Sequence, residues 1–484
     1  MKIIKNNLVS ILKLNIVAFL FLSLISCTAN AQENKQKPNV IFIFADDLGW
    51  GDLSAYGGNR IKTPNLDRLA SQGTLFTQFY VPASVCSPSR SGIMTGQYPS
   101  RNRVFGHFAL KMNKQREMPD ALNTDLMTLT DIMKKEGYKT AHFGKWHMGN
   151  ISPSEYGVDT YATNTHSNLP GEKKILGWDA ENRPNCTQEV LNTTLSYIKE
   201  KKEKGEPFYV NAWLFDVHGV LSPSEKQLNA VKKFAPAHNS EVRNKSKLKF
   251  YGVEQVYLAA LKNMDSAIGA FIKQLDALGI SENTLIIFSS DNGPEDYQIR
   301  DAAHSGVGSA GPFRGRKRSI YEGGIRVPFI LRWPGKVPAD KVNNKSVVNG
   351  VDFIPTISSI IGADLPKEIQ KQDGENMADV WLGKDRKREE PLFWEWRYNV
   401  FGHVLNRSPM IAMRDGDLKV LVNPDGSRLE VYNIVKDPSE LYNLAITEPK
   451  LANRLKDKAL LWYKDIPQSP WRNKAGKNDW NWPK

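Results

Sequence analysis

The chain has very little cysteine: three residues in 484, Cys27, Cys86 and Cys186. So few thiols exclude the disulfide framework that staples many exported domains, and they leave any cysteine chemistry to single residues. Long apolar runs are also scarce. Residues 14–25 form an apolar stretch too short to span a bilayer comfortably, and no later segment is long and apolar enough to be a membrane span. There is no long Lys/Arg tract and no nucleic-acid-binding module, so nucleic acid is not an expected partner. Internal repeats and low-complexity tracts are missing, and with 40% hydrophobic and 24% charged residues the composition argues against long disorder.

A chain of this length supports a large core and more than one subdomain. Its formal net charge is +13, and Lys2, Lys5 and Lys13 supply three of those charges just ahead of or at the start of the apolar stretch. Residues 1–31 therefore read as an export leader outside the fold. Its end offers two processing sites. Leu24-Ile25-Ser26-Cys27 has the form of a bacterial lipobox, which would lipidate Cys27 and anchor the chain to a membrane. Ala29-Asn30-Ala31 instead suits ordinary signal peptidase acting before Gln32. Either route exports the protein, to the periplasm or, as a lipoprotein, to the outer membrane or cell surface. The remaining positive charge is scattered, with small clusters at 199–204 and 314–318; it reads as mild attraction to a polyanion or as a solvated surface. Trp, Tyr and Phe number 12, 16 and 20, which suits carbohydrate sites or core packing.

Continuous apolar runs at 39–45, 208–215 and 285–290 have the length and branched content of strands buried on both faces. Further strands are expected at 75–81, 139–143 and 327–331. Helices are expected over 65–71, with Pro64 first, Thr63 as cap and Gly73 as stop, over 87–94, over 129–136, and over 254–278 with apolar spacing of three and four. Strands alternating with helices predict an α/β fold, a large mostly parallel sheet flanked by helices over 37–370. Character changes beyond a polar, charged boundary near 365–390. Short strands at 391–396, 410–414, 418–422 and 429–433, turns at Asp415-Gly416 and Asp425-Gly426, and an amphipathic helix at 449–463 predict a smaller C-terminal antiparallel sheet with a helix over 385–484.

Several strands end in chemically competent residues, and open α/β sheets bind ligands beyond the carboxyl ends of their strands. The 39–45 strand ends at Asp46 and Asp47, the 285–290 strand at Asp291 and Asn292, and the 208–215 strand at Asp216 and His218. Three carboxylates and an amide oxygen, without thiol or imidazole, suit a hard divalent cation, Ca²⁺ or Mg²⁺. Taken singly, such pairs also serve as turn or capping residues.

The run Cys86-Ser87-Pro88-Ser89-Arg90 carries Pro two and Arg four positions after Cys. Around it, in order, lie Asp46 to Asp52 in the pattern DDxGxxD, Gly144-Lys145-Trp146-His147-Met148-Gly149, Ser290 to Gly293 as SDNG, and Lys317 ahead of Glu322-Gly323-Gly324-Ile325-Arg326. On these blocks the chain resembles the formylglycine-dependent sulfatases of the alkaline phosphatase superfamily, and bacterial polysaccharide sulfatases in particular. Residues 412–419 and 432–444 follow that family's C-terminal pattern more weakly.

The resemblance implies an alkaline phosphatase-like fold and a sulfuric ester hydrolase. It implies that a formylglycine-generating maturation enzyme oxidises Cys86 to formylglycine, whose hydrate attacks the sulfur of a sulfate ester. One divalent ion, Ca²⁺ with Mg²⁺ open, is expected on Asp46, Asp47, Asp291, Asn292 and the modified Cys86, with Asp52 at the last position of its block. Arg90 would hold the modified side chain, Lys145 and Lys317 the sulfate, and His147 the formylglycine hydroxyls, while His218 acts as general acid. His107 and His304 are expected on the substrate rim, with His166 and Arg103 behind them. The chain departs from many relatives at Gly315-Arg316-Lys317, where Arg316 either reaches an anionic substrate or faces water. The expected substrate is a sulfated poly- or oligosaccharide, an algal one such as ulvan ahead of host glycans. The rivals are a formylglycine-dependent phosphodiesterase or phosphonate hydrolase, and a catalytically dead glycan-binding lipoprotein.

Overall fold

The computed structural model describes residues 37–235, 252–296, 304–400, 402–472 and 474–477. The leader and Cys27 lie outside the described residues. Asn39–Ala45 forms β1, buried at every position after Asn39. Its side chains alternate between two cores. Val40, Phe42 and Phe44 enter one and Ile41, Ile43 and Ala45 the other, which is why no polar residue interrupts the run.

The other strands of the large sheet are β2 (Thr74–Phe76), β4 (Lys139–Gly144), β5 (Thr160–Ala162), β6 (Phe208–Trp213), β7 (Thr284–Ser290), β8 (Phe329–Arg332) and β9 (Lys341–Asn343), in the spatial order β5-β4-β6-β1-β7-β8-β2-β9. Pairing is parallel from β5 through β7; β8 runs antiparallel to β7 and β2. Cys186–Glu203 and Val253–Ala277 cover one face, and Cys86–Thr95 and Phe353–Ile361 the other.

β11 (Leu392–Glu395), β12 (Ile411–Asp415), β13 (Leu418–Val422) and β14 (Glu430–Asn433) form the expected antiparallel sheet. Ala452, Leu455, Ala459 and Trp462 of the helix Pro449–Asp465 pack on Ile411, Met413 and Val420. The opposite face, with Trp394, Ala412 and Leu421, joins the core beneath β1. The described residues from Pro38 onward form one compact unit.

Two local expectations change. The single strand expected at 75–81 is split: β2 stays in the large sheet, while β3 (Phe79–Tyr80) pairs with β10 (Val348–Asn349). Between them Thr77 donates its amide to Asn343 O and Gln78 its side-chain amide to Asn344 O, so these two polar residues turn the chain out of the sheet. The helix Pro64–Ser71 is not capped by the Thr63 side chain, which bonds Ser54 and Asp67. Asp265, 199 residues on from Leu66, accepts from the Leu66 amide at 2.9 Å and from the Asn65 amide at 3.1 Å. Gly73 has a different reason from helix termination: a Cβ there would come within 1.9 Å of Leu331 O, so a side chain would force β2 and β8 apart.

Candidate active site

β1 and β7 are parallel neighbours in the register Ala45↔Ser290. The next residues of each strand therefore emerge side by side at the carboxyl edge. Asp47, at φ 62°, turns the chain and gives its amide to Asp291 Oδ1 at 3.2 Å. Asn292 Nδ2 donates to Asp47 Oδ1 at 2.7 Å. Cys86, the first residue of the helix Cys86–Thr95, joins them: one ligand atom each from Asp46, Cys86 and Asp291 lie within 4.8 Å of one another, as do those of Asp46, Asp47 and His218. Asp46 Oδ1 and Asn292 Oδ1 are buried acceptors without a hydrogen-bond donor. Orphaned oxygens among three buried carboxylates are what a hard cation satisfies, and the donor set suits Ca²⁺ or Mg²⁺ better than zinc.

Buried cations balance these acids. Arg90 donates from Nε and Nη2 to Asp291 Oδ2 at 2.9 and 2.7 Å and from Nη1 to Lys145 O at 2.7 Å, with its guanidinium 4.9 Å from the Trp213 ring centre. Lys145 pairs with Asp46. Lys317 sits between Asp47, 2.6 and 2.8 Å from its two oxygens, and Glu295 Oε2 at 3.2 Å. Burial and the charge of Asp46 push Asp291 up to about 6, against the pull of Arg90. Burial works the same way on Asp47, but Lys317, His218 and Lys145 outweigh it and hold that carboxyl well below its ordinary range.

Two histidines flank the cluster. His218 Nδ1 bonds Gly219 O; a carbonyl only accepts, so Nδ1 carries the proton and Nε2 faces Asp47 Oδ2 at 3.7 Å. Burial, then Lys317, lowers its pKa to about 3. His147, at φ 56°, keeps Nδ1 buried without a partner and is likewise held neutral, first by burial and then by Lys145. His107 joins this group, with its ring centre 6.4 Å from that of His147 and its pKa lowered to about 3, mainly by burial. The Cys86 thiol is raised by burial, against the pull of Lys145 and Lys317, so unmodified it is a poor nucleophile. Cys186 is buried, its thiol pushed up to about 12 by burial, as an inert thiol should be.

Other candidates lie elsewhere. His304 precedes the turn Ser305–Val307, and no contact among the described residues ties it to the carboxylates. His166 bonds Thr165 by its ring, and Arg103 lies 3.9 Å from Glu117 in an exposed pair. Asp52 points away from the cluster: it accepts from the amides of Gly49 and Ser309 at 2.8 and 2.9 Å and from the Tyr257 hydroxyl at 2.7 Å. It fastens one loop to another, and burial raises it to about 6. All three partners donate, and an amide NH₂ cannot accept from them. Asp52→Asn should therefore lose about 1–3 kcal/mol in urea unfolding, while a calorimetric Ca²⁺ titration stays unchanged; weakened Ca²⁺ binding would make Asp52 part of the metal site.

Arg316 neither faces water nor reaches outward. It is buried and brackets a loop, donating to Glu295 O at 2.8 Å, Gly306 O at 2.9 Å and Gly308 O at 2.7 Å. Arg314 stacks 3.9 Å from the Tyr321 ring centre. The 314–318 cluster is thus mostly interior charge, not a surface patch. The sequence reading missed Glu295, which holds both Lys317 and Arg318, although it lies only four residues past Asp291. It also missed Trp178, for which periodicity held no signal. Trp178 lies 5.0 Å from the His218 ring and 5.2 Å from Lys145 Nζ, beside a cleft of about 340 Å³ that opens onto Lys145 and His147.

The family model for sulfatases matches residues 38–363, and the model described as N-sulphoglucosamine sulphohydrolase, C-terminal, matches residues 311–460. A sulfatase of Formosa agariphila is 28% identical, with 93% of each chain covered. An N-acetylgalactosamine-6-O-sulfatase of Bacteroides thetaiotaomicron is also 28% identical, over 88% of this chain and 93% of that one. Among solved structures, Ps i-CgsB in complex with k-i-k-neocarrahexaose is similar in fold, with a TM-score of 0.72 at 24% identity over 92% of this chain and 97% of that one.

Proposed function

The chain belongs to the sulfatase family and is a sulfuric ester hydrolase; from that premise we propose that it removes sulfate from a sulfated carbohydrate, through a formylglycine made from Cys86 by a maturation enzyme and a divalent cation, Ca²⁺ ahead of Mg²⁺. One observation carries the reading: Cys86 shares a 4.8 Å cluster with Asp46 and Asp291, and those acids are held by buried Lys145 and Arg90. Asp46, Asp47, Asp291 and Asn292 would hold the cation. When bound, the cation would polarise the sulfate oxygens and the formylglycine hydrate would supply the attacking oxygen.

The chain's own residues do the rest. Lys145 and Lys317 are 1% and 2% exposed, so they meet the ester oxygens as oriented charge in a site of low dielectric. Arg90 acts through Asp291, keeping that carboxylate aimed while its own charge is spent inside the protein. With Nδ1–H of His218 bound to Gly219 O, any further proton goes to Nε2, which faces the cluster 3.7 Å from Asp47 Oδ2, and from there it can pass to the leaving oxygen. His147, with Nδ1 unpartnered, is placed to take the proton that triggers sulfate expulsion. Among the rim histidines, His107 has its ring centre 6.4 Å from that of His147, while no contact among the described residues ties His304 to the cluster.

The name of the Bacteroides relative, a sugar sulfatase, supports a carbohydrate substrate. An algal polysaccharide such as ulvan, or its oligosaccharides, fits the net charge of +13 and the export leader, with Cys27 as lipid anchor at the periplasmic or outer cell surface. Protein co-expressed with a maturation enzyme should release inorganic sulfate from sulfated oligosaccharides; phosphate release from matched phosphate esters, without sulfate, would make it a phosphodiesterase instead. Chelation should reduce sulfate release at least about a hundredfold, with recovery on adding Ca²⁺ or Mg²⁺. Full activity after thorough metal removal would refute the ligand set.

A further inference from the structure

The sulfate locus accounts for one end of the cleft; its other walls are unlike that end. Among the described residues Lys145 is the one lysine or arginine lining it, and apart from His147 at the sulfate end the remaining polar side chains are Asn113, Asn150, Asn164, Thr165 and Asp120. Asp120 is exposed, its Oδ1 accepts from Asn113 Nδ2 at 3.0 Å, and no ion pair to it occurs among the described residues. Beyond the sulfate locus this is a surface for neutral hydroxyls with one negative charge in it.

The aromatic wall is built. Trp178 is 41% exposed, yet it is held by Phe215 at 5.2 Å, His218 at 5.0 Å, Arg183 at 5.9 Å and Lys145 at 5.2 Å. Arg183 fastens the same loop, donating to Gly177 O at 2.7 Å and Phe215 O at 2.6 Å. Gly177 permits the approach, since a Cβ there would lie 2.4 Å from the Phe215 ring. An indole held by these contacts and still 41% exposed loses little freedom when a flat apolar surface settles on it.

Resting on the sulfatase reading above, we propose that this cleft takes a neutral sugar ring bearing a single sulfate, its apolar face on Trp178, and that Asp120 rejects a second anionic group on that ring. A uronate or a disulfated sugar would set a like charge beside Asp120, where no cation among the described residues lines the cleft to offset it.

The test uses Ca²⁺-loaded Cys86→Ala protein, which binds without turnover, titrated with monosulfated neutral hexoses, matched disulfated hexoses and sulfated uronates. Monosulfated neutral sugars should bind about tenfold tighter than the others. Asp120→Asn should narrow that gap, and Trp178→Ala should weaken all sugars by more than it weakens inorganic sulfate. Equal or tighter binding of the dianionic sugars, or a gap that survives Asp120→Asn, overturns the proposal. If the monosulfated sugars bind selectively but the matured parent protein releases no sulfate from them, the hydrolase reading fails and the binding inference stands.

Discussion

Cys86→Ala should lower sulfate release by about four to six orders of magnitude, since removing the residue that bears the nucleophile leaves only binding and electrostatic effects. The loss should be chemical. Cys86 is 2% exposed at the first position of a helix that continues for nine further residues, and alanine fits both that space and that backbone. Arg90, Asp291 and Lys145 remain tied to one another without it. Thermal unfolding should therefore be near that of the parent, Ca²⁺ should still bind through Asp46, Asp47, Asp291 and Asn292 but more weakly for the loss of one ligand, and turnover surviving the substitution would end the formylglycine reading. Peptide mass analysis of the parent gives a second check, because conversion of thiol to aldehyde changes the mass of the peptide holding Cys86.

Lys419→Met should cost the most stability of any single change considered, about 3–5 kcal/mol, the range for breaking a buried ion pair by removing one partner. Lys419 on β13 is fully buried, 3.0 Å from Glu322 Oε1 and 3.0 Å from Glu440 Oε1. Glu322 Oε2 accepts from the Tyr80 hydroxyl at 2.5 Å, and that hydroxyl receives Arg414 Nη1 of β12 at 2.6 Å. This network clamps the small sheet to Tyr80 of β3 and to the helical turn that begins at Glu322. Burial would raise Glu322, but Lys419, then Arg326 and Arg414, hold it down to about 2. Glu440 is pushed up to about 7 by burial, with Lys419 restraining it and Glu322 adding to the rise. In the variant both carboxyls lose that restraint: Glu322 moves up from below its unfolded value and forfeits the stability it gave above that value, while Glu440 rises further above its own. A group with a raised folded pKa gives stability at low pH that is lost as pH rises through the folded value. The deficit measured by urea unfolding should thus be larger near pH 8 than near pH 5; an equal deficit at both would show that Lys419 is not the group holding these acids ionised.

Much of the site was legible because it follows from strand ends. The buried runs before Asp46 and Asp291 gave themselves away by lacking polar residues, and parallel pairing of β1 with β7 aligned what came next. The antiparallel C-terminal sheet was legible through its turns, with Gly416 at φ 58° between β12 and β13. What escaped depends on partners far along the chain. Nothing near Thr63 reveals that Asp265 will cap its helix. Nothing in 314–318 says that Arg316 will turn inward, because charge alone does not show which carbonyls lie beneath it. Trp178 sits in a loop with no period, and its platform is assembled from Phe215, His218 and Arg183, three residues of another segment or its own far end.

The pairing of β1 with β7 also has a kinetic side. The hydrogen bond from Asn292 to Asp47 closes a separation of 245 residues. Contacts of such range form late, after the entropy of closing a long loop has been overcome, and parallel pairing is slow for that reason. A growing chain that has not reached Asn292 therefore has half of the proposed cation site, and its half is a pair of like charges. On that proposal metal capture would mark completion of the sheet's centre, and an ion that binds only the finished site would pull the folding equilibrium forward by mass action.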